Sequence, residues 1–202
     1  SKNVYGGVIY GRILDQLIPS WWETVPAQRW ITRRGTMLLS DTQSLCIDYR
    51  TPTWGEPPYN GFTAFRADFD GWLAQHAVDG GATLITSTTA TGLIRNARGV
   101  ISGVETDRDG AITARAVIAC DGVNSFLAKE AGLYGDFNAE NFTLGVKEVL
   151  ALPRELIEAR FGVTDDHGAD FEIVGHTAGI PGGAFMYTNR DTIAVGAVLS
   201  LP

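Results

Sequence analysis

Cysteine, positive charge and long apolar runs are all scarce in this sequence. Its two cysteines, Cys46 and Cys120, lie far apart in unrelated contexts. They match neither a disulfide framework nor the paired ligand spacing of a metal site, so no metal is expected and a reducing cytoplasm fits best. Sixteen Lys and Arg against 23 Asp and Glu leave a net charge of −7. A nucleic-acid-binding domain usually presents a basic field, so nucleic acid is not an expected partner. No apolar run approaches the roughly 18 to 20 residues that span a bilayer, and the opening Ser1-Lys2-Asn3-Val4-Tyr5 lacks the charged-then-apolar order of a signal peptide.

The common catalytic loops are missing as well. No G-x-G-x-x-G occurs, and Gly6 to Gly11 is followed by Arg12 and Ile13 where a phosphate-binding P-loop needs Lys and Ser or Thr. There is no G-x-S-x-G nucleophile elbow. His76, His167 and His176 show no H-E-x-x-H spacing and have no cysteine neighbours. Nucleotide hydrolysis, serine hydrolysis and metal catalysis are thereby set aside.

What is present is a foldable chain. With 202 residues, 45% of them hydrophobic, it can bury about 70% of the surface that its unfolded form exposes. Gly6, Gly7 and Gly11 arrive with no strand before them, so the chain reads as a fragment. Residues 13–34, rich in tryptophan and broken by Pro19 and Pro26, read as short helical turns with proline punctuation. Trp21, Trp22 and Trp30 with Arg29, Arg33 and Arg34 read first as core packing, with a peripheral membrane or partner contact as the alternative. Residues 36–48 have strand chemistry. The clearest helix is 68–79, where Phe69, Trp72, Leu73, His76 and Ala77 recur at helical spacing before Gly80-Gly81. His76 reads as a half-buried packing residue of that helix.

Short strands are expected at 82–86, 88–95 and 100–106, with a hairpin turn at Asp107-Arg108-Asp109-Gly110. The continuous apolar run 116–120 reads as a strand covered on both faces, and 123–131 as a helix ended by Gly132. Further on, 143–152 reads as a strand, 153–161 as a helix begun by Pro153, and 183–200 as a hairpin whose Phe185, Tyr187, Ile193, Val195, Ala197 and Leu199 alternate. Lys147 and Glu148, adjacent on a strand, should face opposite ways, with at least one an ordinary solvated charge.

The strongest chemical signal is Asp121-Gly122 between the apolar run and the following helix. A carboxylate at a strand's C-terminal end can accept a ribose hydroxyl or orient amides, and glycine lets a cofactor approach the backbone. An ordinary Asp-Gly turn is the plainer alternative. The run Val117-Ile118-Ala119-Cys120-Asp121-Gly122-Val123-Asn124-Ser125 resembles the Asp-Gly motif of FAD-dependent oxidoreductases of the p-hydroxybenzoate hydroxylase and geranylgeranyl reductase type. Four more stretches narrow the resemblance: Lys2-Asn3-Val4-Tyr5-Gly6-Gly7, Arg66-Ala67-Asp68-Phe69-Asp70-Gly71-Trp72-Leu73, Leu144-Gly145-Val146-Lys147-Glu148 and Gly182-Gly183-Ala184-Phe185-Met186-Tyr187-Thr188-Asn189. In this order they are similar to segments of FixC-type proteins, relatives of electron-transfer-flavoprotein:quinone oxidoreductase.

The resemblance implies a truncated α+β fold of the p-hydroxybenzoate hydroxylase type, with an α/β-type FAD-binding portion and an antiparallel substrate-side sheet. Residues 1–135 would hold the partial FAD-binding region, interrupted by a substrate-side segment at about 12–62, and 136–202 would form part of the substrate sheet. The family's N-terminal G-x-G-x-x-G and its later Gly-Asp segment have no counterpart here. FAD is the implied cofactor. Arg66 would approach its phosphates, a task that suits a bidentate guanidinium. Asp121 and Gly122 would face the ribose and pyrophosphate, Ala90 the adenine, and Asn3, Gly6 and Gly7 the isoalloxazine ring. Gly182, Gly183, Phe185 and Tyr187 would line the substrate side. Implied partners are an electron-transfer flavoprotein and a quinone or ferredoxin-like acceptor, met in the cytoplasm or at its membrane face. A prenyl reductase or aromatic hydroxylase of the same superfamily is the alternative activity, and a non-catalytic substrate- or partner-binding module is the alternative for the isolated chain.

Overall fold

The computed structural model describes residues 6–135, 137–175 and 179–201. Asn3 and His176 lie outside the described residues. The chain divides into two compact units, one comprising Ser1–Ala82 and Ala139–Pro202, the other Thr83–Asn138.

The larger unit is built on one mixed sheet. Its strands are β1 (Gly6–Tyr10), β2 (Arg29–Leu39), β3 (Ser44–Arg50) and β4 (Gly61–Phe65), then β8 (Thr143–Ala151), β9 (His167–Gly175), β10 (Gly182–Thr188) and β11 (Thr192–Ser200); the helices are α1 (Leu14–Leu17), α2 (Arg66–Asp79) and α4 (Arg154–Phe161). The strand order is β1-β4-β2-β9-β10-β11-β8, with β3 paired to β2. Every pairing is antiparallel except β2 with β9, which is parallel. The expected α+β class is what forms.

Two apolar clusters hold this unit. In the first, Leu14, Trp21, Ala27, Phe62, Ala64 and Phe69 are buried, with Trp30, Tyr59 and Trp72 packed around them. The Trp30 and Tyr59 rings stack at 3.7 Å, and the Trp21 indole donates to Asp15 Oδ1 at 2.7 Å. Gly11 has no room for a side chain, since a Cβ there would stand 2.5 Å from the Trp21 ring and from Tyr59 O. The tryptophans are core residues, as the first reading held. In α2, Phe69 is buried and His76 meets the Trp72 ring edge at 4.6 Å, a packing role. Leu73, on the apolar stripe, is 39% exposed.

The second cluster joins Ile157 and Phe161 of α4 and Val163 to Ala169 and Phe171 of β9, with Met37 and Met186 against them. Pro153, expected as the first helical residue, stands one position earlier as the N-cap of α4, and Gly162, at φ 57°, ends the helix. Arg29, read as core or as a membrane or partner contact, is 1% exposed. It donates to the carbonyl oxygens of Asn189 at 2.7 Å, Asp165 and His167 at 2.9 Å each, and Arg190 at 3.0 Å. Four carbonyls thus find their donors on one buried side chain, which leaves its guanidinium paired.

The smaller unit carries β5 (Ala90–Arg95), β6 (Ile101–Thr106) and β7 (Ala111–Thr113), an antiparallel sheet, with α3 (Phe126–Glu130). Thr106 N–H donates to Gly110 O at 2.9 Å across the expected hairpin turn, with Gly110 at φ 71°. Glu130 Oε1 accepts from Leu93 N–H at 3.0 Å and so ties α3 to β5.

Several expectations need correction. Helical turns end at Glu23, and from Arg29 the chain runs as β2, because β4 and β9 supply ladders on its two sides. Residues 36–48 are a hairpin turning at 40–43, closed by Ser40 N–H to Gln43 O at 2.9 Å. Neither 82–86 nor 116–120 joins a ladder; Leu84 and Ile118 are 57% and 86% exposed. An apolar run becomes a strand only where another strand can satisfy its backbone groups.

Candidate functional site

Period-two alternation divides the central strands into two faces. On β9, Ala169 and Phe171 point to α4, so Asp170 and Glu172 point the other way. The register pairs Asp170 with Tyr187 and Glu172 with Phe185 on β10, and Arg34 of β2 with Asp170. This second face opens on a cavity of about 320 Å³, lined by these four residues of β9 and β10 and by Gly6, Gly7, Val8 and Tyr10 of β1.

The groups around the cavity are charged and aromatic together. Arg34 donates to Asp170 Oδ2 at 3.1 Å and lies 4.9 Å from the centre of the Tyr10 ring. Burial pushes the Asp170 carboxyl above its ordinary value; Arg34 opposes that shift and Glu172 reinforces it. The Phe185 and Tyr187 rings are nearly parallel, with centres 6.0 Å apart. Lys147 of β8 donates from Nζ to the Tyr187 hydroxyl oxygen at 2.6 Å and to Gly6 O at 3.2 Å. Burial lowers the Lys147 pKa and raises that of Tyr187 to about 12, with Asp170 adding to the latter. Glu148, next along β8, is exposed, so the two adjacent charges part as the strand geometry requires.

Of the residues singled out from sequence, the structure brings Gly6, Gly7, Phe185 and Tyr187 to one cavity. Gly182 and Gly183 open β10 and do not line it; a Cβ at Gly182 would stand 2.3 Å from Val198 O, and one at Gly183 2.5 Å from Ile173 O. Arg66 starts α2, exposed, with its fork on Asp70 at 2.5 and 3.2 Å. In the smaller unit, Ala90 opens β5, and Asp121 Oδ2 accepts from Leu127 N–H at 2.9 Å at the start of α3. Gly122 holds φ 73° with open space where a Cβ would be, so backbone conformation demands the glycine there. Sequence reasoning missed Tyr10, Asp170, Glu172 and the pairing of Arg34 with Asp170, and it did not say which of Lys147 and Glu148 was the solvated charge; Glu148 is the exposed one. The alternation Ala169-Asp170-Phe171-Glu172 was the available signal: charges on one face of a strand whose other face is apolar.

Small-molecule sites enclose roughly 300 to 1,000 Å³, so this cavity has room for the ring system of a dinucleotide cofactor and not for the whole of it. Glycines on one wall, parallel aromatics on the other and a cation at the edge fit a flat conjugated ring. Among the described residues no helix is long and apolar enough to cross a membrane.

A family model described as an FAD binding domain matches residues 63–164. Protein FixC of Azorhizobium caulinodans is 37% identical over 198 residues, 97% of this chain and 46% of that protein. Protein FixC of Escherichia coli O157:H7 is 36% identical over 202 residues, 100% of this chain and 47% of that one. The chain thus spans about half the length of the curated relatives it matches. Among solved structures, CtdE in complex with FAD and a substrate superposes with a TM-score of 0.69 at 14% identity, over 100% of this chain and 49% of its own. A variant of PqsL from P. aeruginosa gives 0.64 at 15%, over 99% and 51%. Both carry the same fold, the p-hydroxybenzoate-hydroxylase-like one that the motifs implied.

Proposed function

Because this chain belongs to the family of FAD-binding domains and is a homologue of FixC proteins, we propose that it is part of a flavin-dependent oxidoreductase. Its electrons pass through FAD between an electron-transfer flavoprotein and a quinone or a low-potential, ferredoxin-like carrier. The observation that carries this reading is the cavity in which Gly6 and Gly7 of β1 lie with Phe185 and Tyr187 of β10. Bound FAD supplies reversible one- and two-electron transfer.

The chain's own residues bind and orient. Gly6 and Gly7 bring bare backbone to one side of the ring, and a Cβ at Gly7 would meet nothing within 4 Å. Phe185 and Tyr187 would give the ring an apolar wall, and the Lys147 ammonium would set positive charge beside it. Arg66 serves the phosphates by exchanging Asp70 for them, an exchange of low cost because an exposed ion pair contributes about 0–1 kcal/mol. Asp121 and Gly122 take the ribose and pyrophosphate side, Ala90 the adenine side and Asn3 the ring. Gly182 and Gly183 belong to the substrate side. The protein works in the cytoplasm and meets a membrane-held quinone by peripheral contact.

The test is an FAD titration of the 202-residue chain, followed by flavin absorbance and by quenching of flavin fluorescence. Saturable binding in the micromolar range is the expected result. If nothing saturates, the isolated chain is a substrate- or partner-binding module, and electron transfer is to be measured on the complete protein.

A further inference from the structure

Lys147 connects the two ends of the strand order. It sits on β8, the last strand of the path, yet its ammonium reaches Gly6 O on β1, the first. The sheet therefore coils far enough for one side chain to bridge its ends. The same ammonium holds the Tyr187 hydroxyl oxygen at 2.6 Å. A lysine ammonium has three donors and no acceptor, so the phenol oxygen accepts in this bond, and the phenol's own hydrogen is directed to some other acceptor. Tyr187 lines the cavity. Donation from a cation into the phenol oxygen polarises the O–H and makes it a stronger donor than an isolated tyrosine.

The other cavity groups define what could receive that hydrogen. Phe185 and Tyr10 offer aromatic surface, Gly6 and Gly7 leave the β1 wall bare, and the carboxylates of Asp170 and Glu172 are matched by the Arg34 guanidinium and the Lys147 ammonium, so the lining favours neither sign of charge. A flat, uncharged ring with an acceptor oxygen on its rim satisfies all of these at once. We propose that the cavity between β1 and β10 binds a planar conjugated ring through a carbonyl oxygen on its edge, with Lys147 as the positioning residue that fixes the Tyr187 O–H toward that oxygen. The inference rests on the flavin reading for the source of the ring, since the isoalloxazine of the cofactor and a quinone acceptor share this chemistry.

A site built around a hydrogen bond rejects an analogue that lacks the partner atom. The probes are 2,3-dimethyl-1,4-naphthoquinone, whose blocked ring positions spare the exposed thiols of Cys46 and Cys120, 2,3-dimethylnaphthalene, which has the same outline without carbonyls, and riboflavin. Binding to the 202-residue chain is read by equilibrium dialysis. The wild-type chain binds the quinone at least about tenfold more tightly than the hydrocarbon. Tyr187→Phe and Lys147→Met each abolish that preference without changing hydrocarbon affinity, and Lys147→Arg restores part of it. A structural role alone would weaken both ligands equally. Tyr187→Phe removes a single oxygen and carries the test if Lys147→Met does not fold. Loss of riboflavin binding in Tyr187→Phe assigns the ring to the cofactor, and loss confined to the quinone assigns it to the acceptor. A preference that persists in folded Tyr187→Phe, or wild-type chain that prefers neither quinone nor riboflavin over the hydrocarbon, overturns the proposal. FAD saturation without such a preference leaves the flavin reading standing while this inference fails, and the reverse pattern separates them the other way.

Discussion

The two faces of β9 and β10 do different work with the same backbone. One face presents Ala169, Phe171 and Met186 to Ile157 and Phe161 of α4, and those contacts are apolar throughout. The other presents Asp170, Glu172, Phe185 and Tyr187 to a cavity, where burial penalises both the Asp170 carboxylate and the Lys147 ammonium. The first face stabilises by removing hydrocarbon from water, at roughly 25 cal/mol per Å². The second gains little from its own burial, and the proposed ring-binding role is what accounts for its composition. On that proposal, stability and recognition are divided across a single sheet thickness.

Breaking the helix face should have the largest effect. Phe171 is 6% exposed and packs with its ring centre 6.1 Å from that of Phe161. Gly35 lies beneath it, where a Cβ would come within 2.3 Å of the ring. Phe171→Ala is expected to cost about 3–5 kcal/mol, read from urea unfolding followed by tryptophan fluorescence. A cost under about 1 kcal/mol would mean that α4 is not what stabilises this sheet.

How far sequence could see follows from how local each signal was. The helix α2, expected at 68–79 and formed over Arg66–Asp79, was legible because its period needs no partner, and the β10–β11 hairpin because its strands are neighbours in the chain. The Pro153 start of α4 was likewise a local steric matter. By contrast, β2 and β9 pair across more than a hundred residues, and nothing near Arg29 says that a strand awaits it there. The same distance hid Arg29's burial: its four carbonyl partners lie between Asp165 and Arg190. In the candidate site, Gly6, Gly7, Phe185 and Tyr187, singled out through family resemblance, meet at one cavity, whereas Lys147 became visible only once the coiled sheet brought β8 to β1. The apolar run 116–120 misled because hydrophobicity alone supplies neither a ladder partner nor a covering face, and Ile118 is 86% exposed.

A smaller effect is expected on the cavity face. Lys147→Met removes the hydrogen bonds to Tyr187 and Gly6 but also releases the penalty of holding an ammonium away from water, and replacing buried polar groups by apolar ones of similar shape is often near neutral. The change in unfolding free energy should stay within about 1 kcal/mol. A loss as large as that for Phe171→Ala would collapse the division between the faces and make Lys147 a structural clasp.

The subtlest difference is in pH dependence. Burial raises the folded-state pKa of Asp170 above its ordinary value near 3.8, despite the Arg34 guanidinium at 3.1 Å. A carboxyl whose folded pKa exceeds its unfolded one binds protons more readily when folded. Its contribution to stability is therefore fully present below the unfolded pKa and is lost as pH rises through the folded pKa. Asp170→Asn has no such titration. Relative to wild type, the variant should gain stability as pH rises from about 4 through that window, and the gap should then level off. Urea midpoints measured at intervals between pH 4 and 7 would show it. A gap that moves in favour of wild type over the same range would mean that Arg34 outweighs burial at this carboxylate, and that the cavity face stabilises the fold by ion pairing after all.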